Sequence, residues 1–442
     1  MKQPAVKTKD AQGLAARRVA SAAVADVIRE RAALDDVLDD AIARARLDPR
    51  DGALARAIAT VALRRFGTIR HALAERLSKG VPGNARLLAL LATGAAQILF
   101  LDVPDHAAVD LSVRLAREDK NLQHAAGLVN AILRRLARER DAVLTQTDPL
   151  GLDTPDWLAA RWSDAYGPGR ARAIAEAHAA AASVDLTVKQ DAQGWAERLG
   201  GIVLPTGSVR LIERTPVREL PGYAEGEWWV QDAAAALPAR LLGARPGERI
   251  ADLCAAPGGK TAQLAHAGAR VVAVDKSARR LHRLADNMQR LRLAVDIRAA
   301  DVLELDEEPF DAVLLDAPCS ATGTIRRHPD VAWAKRPEDV AGLADLQRQL
   351  LDKAAGLVRP GGRLIYCTCS LEPEEGEGQV ASFLARHGAF ARAPVDAREV
   401  GGLADLVDAR GDVRALPCHL ADLGPGRAGL DGFFVARLSR RA

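Results

Sequence analysis

Four short, nearly continuous apolar runs (250–254, 271–275, 312–316 and 364–368) constrain this chain more than any other feature. A strand that is apolar on both sides must be covered on both sides, as in a parallel sheet clothed by helices. The segments between these runs have helical spacing. Leu281, Leu284, Met288 and Leu291 share one face, and Val340, Leu343, Leu346, Leu350, Ala354 and Leu357 share another before Pro360-Gly361-Gly362 signals a stop. Strand–helix alternation of this kind predicts an α/β fold with a doubly wound, Rossmann-like sheet over 231–442.

The preceding sequence differs in kind. Residues 13–145 lack strand-like alternation. Leu128, Ile132 and Leu136 recur at helical spacing, and 87–101 is apolar enough for a central buried helix. An all-α domain is expected there, after a short polar tail. A connector helix over 155–182, broken at Gly167-Pro168-Gly169, leads into a small α/β insert, so 150–230 forms a second region. Residues 1–140 hold 24 Lys and Arg against 16 Asp and Glu, a surplus of eight positive charges that suits a polyanionic partner or a solvated basic surface. No uninterrupted apolar stretch of membrane-spanning length is present, and the start lacks a secretory core. The five cysteines form no disulfide framework, and Cys367-Thr-Cys369 has no second Cys/His pair to complete a zinc site. The expectation is a cytoplasmic protein with no metal.

The first apolar run contains Asp252 and opens into Cys254-Ala255-Ala256-Pro257-Gly258-Gly259-Lys260-Thr261, and the second ends in Asp275. Glycines at a strand-to-helix turn admit a ligand close to the backbone, and a carboxylate ending the next strand suits ribose hydroxyls. A phosphate loop would need Gly where Cys254 stands, and the dinucleotide glycine pattern is absent. A nucleoside without phosphate fits better, and S-adenosylmethionine is the obvious cofactor.

Asp316 ends the third run and leads into Ala317-Pro318-Cys319, and Cys369 follows the fourth. In an open parallel sheet, ligands sit at the carboxyl ends of the strands. Carbon 5 of cytosine is a poor nucleophile until a thiolate adds to carbon 6, which is covalent catalysis. A carboxyl group near ring N3 stabilises the adduct, and a second thiol can assist its release. Asp316, Cys319 and Cys369 supply these parts. Inert packing is the competing reading of the two thiols.

These residues resemble the RNA cytosine-5 methyltransferases of the RsmB/NOL/NSUN group, most closely its RsmB branch. The resemblance is carried by Asp252-Leu-Cys-Ala-Ala-Pro-Gly-Gly-Lys-Thr261, Asp316-Ala-Pro-Cys-Ser-Ala-Thr-Gly323 with Ile325-Arg-Arg-His-Pro-Asp330 and Trp333, Thr368-Cys-Ser370, Gln231-Asp232 and Asp431-Gly-Phe-Phe434. It implies that Cys369 is the nucleophile, that Cys319 assists release, and that Asp316 contacts the base beside Lys260. It implies further that Asp275 binds the cofactor's ribose, Asp301 lies near the adenine, and 255–261 holds the methionine part. Arg327 and His328 are candidate RNA contacts. Val103-Pro104, 108–113 and 127–135 resemble a NusB-like RNA-binding domain, and the insert is expected to be RRM-like.

The implied partner is 16S rRNA or a small-subunit assembly particle, with no membrane and no DNA; Asp316-Ala-Pro-Cys lacks the aromatic of Asp-Pro-Pro-Tyr amino-methylases. Transfer RNA is the rival target, and a non-catalytic assembly factor is the rival of another class. Two departures stand out. Cys367 adds a thiol, expected to point away from Cys369, and 187–189 lacks the Arg and Asn usual there.

Overall fold

The computed structural model describes residues 13–213, 215–424 and 426–442. The polar tail expected at the start lies outside them. The contacts divide the chain into two units: one ends at Ala179 and takes back Ile325–Lys335, and the other comprises Ala180–Thr324 and Arg336–Ala442.

The first unit is helical throughout. Its central helix, Ala85–Phe100, is buried from Leu88 to Leu99, because its apolar residues run around the whole circumference instead of forming one stripe. Asn84 starts it by accepting from the N–H groups of Arg86 and Leu87. The helices Leu14–Glu30, Pro49–Arg64 and Ala126–Arg138 bury single faces in the same core.

Two helices that the sequence placed in a connector, Asp156–Tyr166 and Pro168–Ala179, also belong here. Leu158, Trp162, Ala171, Ile174 and Ala175 are buried, and Asp153 accepts from the N–H and hydroxyl of Thr68 at 2.8 and 2.9 Å. The returning segment is anchored by Trp333, whose indole N–H donates to Leu63 O at 2.8 Å and whose ring packs edge-on against Phe66. Asp330 accepts from Leu34 N–H at 3.1 Å. His328, a candidate RNA contact, lies 3.1 Å from Asp35 and has a structural partner.

In the second unit, four strands form a small antiparallel sheet: β1 (Asp185–Val188), β2 (Gly201–Val203), β3 (Val209–Leu211) and β4 (Trp228–Val230), in the order β2-β3-β1-β4. Directly across β1 and β3, Asp185 and Arg210 form a two-pronged ion pair at 2.6 and 2.7 Å, with both side chains fully buried. Removing one partner strands the other charge. Arg210→Ala is expected to cost about 3–5 kcal/mol, against far less when both are replaced by apolar residues. Urea denaturation of the two variants measures the difference.

The large sheet contains β5 (Arg249–Leu253), β6 (Arg270–Asp275), β7 (Asp296–Ala299), β8 (Phe310–Asp316), β9 (Val358–Thr368), β10 (Phe390–Arg392), β11 (Val413–Ala415) and β12 (Phe433–Arg440). The order is β10-β12-β9-β8-β5-β6-β7, with β11 beside β12. The run from β9 to β7 is parallel, while β12 pairs antiparallel with β9 and β10. Separate apolar cores cover its two faces, one around Ile250, Leu314 and Val435 and the other around Leu253, Val313 and Tyr366.

Pro360-Gly361-Gly362, read from sequence as a helix stop, lies inside β9; the helix Pro337–Gly356 has already ended. Gly361 takes a left-handed φ of 75°, and a Cβ on Gly362 would sit 2.9 Å from Asp311 O. The glycines therefore let the start of β9 bulge against β8.

Candidate active site

The turn after β5 leaves the strand abruptly. Cys254 adopts φ 60°, unusual for a residue with a side chain, and Gly258 adopts φ 101° before the helix Gly259–His266. Ala255 N–H donates to Val274 O at 3.0 Å, and Ala256 N–H to the Asp275 carboxylate at 3.2 Å. Asp275 therefore shapes the turn, while also accepting from Ser277 N–H at 2.9 Å. A carboxylate has about four lone-pair sites, so Asp275 keeps acceptor capacity. Asp301, exposed just past β7, accepts from Leu303 N–H at 2.9 Å.

Asp252 is fully buried. One oxygen accepts from the Thr261 hydroxyl at 2.5 Å, and the other has no partner. Burial pushes its carboxyl up to about 7. Cys254 is likewise raised, to about 12, by burial and then by Asp316 and Asp275. Carboxylates ending neighbouring strands, with unused acceptor sites, suit a ligand rich in hydroxyl and ammonium donors and poorly suit phosphates. The turn thus fits an S-adenosylmethionine-like nucleoside.

Lys260, on the first turn of the helix, reaches across to Asp316 at the end of β8, with Nζ 2.8 Å from Oδ2. Burial opposes its charge most strongly, but Asp316, Cys367 and Asp252 together hold the ammonium above the usual lysine range. The Phe433 ring lies 4.9 Å from the same ammonium.

β8 and β9 are adjacent, with Asp316 opposite Cys367. The loop after Asp316 is strapped to β9 and the residues that follow it. Ala317 N–H donates to Cys367 O at 2.9 Å, Gly323 N–H to Cys369 O at 3.0 Å, and the Thr322 hydroxyl accepts from Leu371 N–H at 3.0 Å. Gly323 and Gly432 meet backbone to backbone; a Cβ on Gly323 would fall 2.1 Å from Gly432 O. These straps bring Cys319 Sγ within 3.4 Å of Cys369 Sγ. The Cys369 contact, then burial, raise the Cys319 thiol well above its ordinary range.

Cys367 corrects one expectation. Cys367, near the end of β9, and Cys369, just past it, pack against the same apolar core and do not diverge to opposite sides. Cys367 is fully buried, and its thiol donates to Asp316 Oδ1 at 3.5 Å. Burial, then Asp316, raise its pKa well above the ordinary thiol range, which makes it a poor nucleophile. Sequence reasoning also missed Glu375 and Gln347, buried polar residues behind the two cysteine loops. Within the acidic run Glu372-Pro-Glu-Glu375-Gly-Glu377, no local signal separates Glu375 from its neighbours.

Comparison with known proteins identifies the family. Residues 239–439 match the family described as 16S rRNA methyltransferase RsmB/F, and residues 14–138 match the NusB family. Ribosomal RNA small subunit methyltransferase B of Vibrio cholerae is 36% identical, covering 95% of this chain and 97% of that protein. Its Shewanella oneidensis counterpart is 33% identical over 96% and 98%. Among solved structures, PH0851 aligns over 99% of this chain and 100% of its own at a TM-score of 0.73 and 23% identity, a likeness of fold. A methyltransferase homolog from Pyrococcus horikoshii aligns over 68% and 98% at a TM-score of 0.53 and 26% identity. The chain belongs to the RsmB/F family of rRNA methyltransferases.

Proposed function

We propose that this enzyme methylates carbon 5 of a cytosine in 16S rRNA through a covalent bond from Cys369 to carbon 6. The observation that carries this reading is the 3.4 Å approach of the Cys319 and Cys369 sulfurs at the ends of adjacent parallel strands. S-adenosylmethionine, when bound, supplies a methyl group on a positively charged sulfur. Ala255 to Lys260 and the carboxylates Asp275 and Asp301 hold it, while Cys254 shapes the turn. The NusB-like unit, with its basic surplus, holds the RNA backbone.

Cys369 adds to carbon 6 as a thiolate, which places electron density on carbon 5. The Lys260–Asp316 pair faces the pyrimidine edge. Asp316 accepts from the exocyclic amine, and the Lys260 ammonium offsets the charge that builds at N3. Before addition, the Cys319 thiol donates to the Cys369 sulfur. Once that sulfur is bonded to carbon, the largest influence raising the Cys319 thiol is gone, while burial and Glu375 remain. Cys319 can then give its own proton to solvent and, as a thiolate, take the proton from carbon 5; that electron pair forms the C5–C6 double bond as the C6–S bond breaks and Cys369 leaves as a thiolate. Both thiols must stay reduced, which suits the cytoplasm.

Bisulfite sequencing of total RNA from cells with and without the gene tests this reading. The expected result is one 16S rRNA cytosine that loses protection in the deletion strain. An unchanged 16S profile, or a change confined to transfer RNA, overturns it.

A further inference from the structure

The steps above leave the buried carboxylate of Glu375 unused. Glu375 is fully buried at the end of the short 3-10 turn Pro373–Glu375. Its two oxygens accept from Ser320 N–H at 2.9 and 3.2 Å, and Oε2 also accepts from the Ser320 hydroxyl. The Ser320 and Ser370 hydroxyl oxygens lie 3.1 Å apart. Ser320 directly follows Cys319, and Ser370 directly follows Cys369.

A second arm completes the clamp. The Gln347 amide donates to Glu375 Oε1 and to Pro318 O, both at 2.9 Å, and Pro318 directly precedes Cys319. On the strand side, the Tyr366 hydroxyl donates to Glu375 O at 2.8 Å, and the Thr368 hydroxyl to the same oxygen at 3.2 Å. The residues flanking both thiols therefore converge on one residue: Ser320 and Gln347 on its carboxylate, Ser370 through the Ser320 hydroxyl, and Thr368 on its backbone carbonyl. A carboxylate is costly to bury as mere filler. An amide of equal size would turn N–H groups toward donors that need an acceptor.

We propose that Glu375 is a positioning residue for the two cysteines, setting the distance between their sulfurs through Ser320 and Ser370. The role given to those sulfurs rests on the proposed function; the clamp itself does not. Glu375 touches neither sulfur and acts through the loops that carry them. Its charge also bears on where the proton sits: after the Cys369 contact and burial, Glu375 further raises the Cys319 thiol. The other titratable groups packed around this site are Arg414, which donates to Ser370 O at 2.5 Å and pairs with Glu377, together with Glu372, Tyr366, Cys367 and the Lys260–Asp316 pair.

The test uses the full-length protein. E375Q is expected to lower kcat by about 10–100-fold while KM for cofactor and RNA stays unchanged, because the loops lose alignment but not their ligands. A second readout needs no activity. In a Cys369→Ser background, the pH midpoint for iodoacetamide labelling of Cys319 should fall when E375Q is added, and should hold with E375D, which keeps the charge. Wild-type kcat in E375Q, or an unmoved labelling midpoint, overturns the proposal. If thermal melting shows E375Q to be unfolded, S320A combined with S370A removes the hydroxyl chain and keeps the carboxylate. Full activity in that variant overturns the proposal equally. A wild-type enzyme that methylates no RNA would sink the proposed function, while the labelling midpoint would still report on the clamp.

Discussion

Cys369→Ser should lower methyl transfer to RNA by at least about 10⁴-fold, because a serine hydroxyl at neutral pH offers almost none of the nucleophilic anion that a thiol offers. Cofactor affinity should not change. The turn 254–261 is held by Val274, Asp275 and its own glycines, and no hydrogen bond from Cys369 supports it. Counting label transferred from radioactive cofactor, alongside calorimetric binding of the cofactor, separates the two effects. Retained transfer would remove Cys369 from the chemistry. Lost cofactor binding would mean that the substitution had disturbed the fold, and would call for Cys369→Ala as the control.

Cys319→Ala should behave differently. Addition at carbon 6 and methylation still proceed, but the proton on carbon 5 loses its acceptor. Turnover is expected to fall by roughly 10²-fold or more, the usual worth of a general base. A protein–RNA adduct that survives denaturing electrophoresis should build up, and the double variant lacking both thiols should form none. The contrast follows from geometry, since the two sulfurs are 3.4 Å apart but leave different strands. If Cys319→Ala releases product at the wild-type rate, another group takes the proton.

Much of this site was legible in one dimension. The runs at 250–254, 271–275, 312–316 and 364–368 became β5, β6, β8 and the C-terminal part of β9, because strands covered on both faces carry unbroken apolar sequence. The antiparallel strands β10 to β12 and the edge strand β7, Asp296-Ile-Arg-Ala299, were not read. A short edge strand is half exposed and mixed in polarity, so its pattern resembles a loop. The connector helices went unassigned to the helical unit for a related reason. Their apolar residues show that a face is buried, but not against what.

Residue chemistry at strand ends is local information, and the sequence alone determined it: two thiols, a carboxylate, a lysine and a glycine turn in a parallel sheet must gather at one edge. Only the tertiary structure decided how the thiols are surrounded. Cys367 and Cys369 pack against the same core, yet the first is fully buried against Asp316 while the second meets Cys319. The same holds for Glu375, which is one of several similar glutamates in the chain. It acquires meaning because folding brings Ser320, Ser370 and Gln347, distant in sequence, within hydrogen-bonding distance of each other or of its buried carboxylate. Hydrogen bonds among residues far apart in the chain leave no periodic trace in sequence; their partners are chosen by the packing of elements that the sequence specifies one at a time.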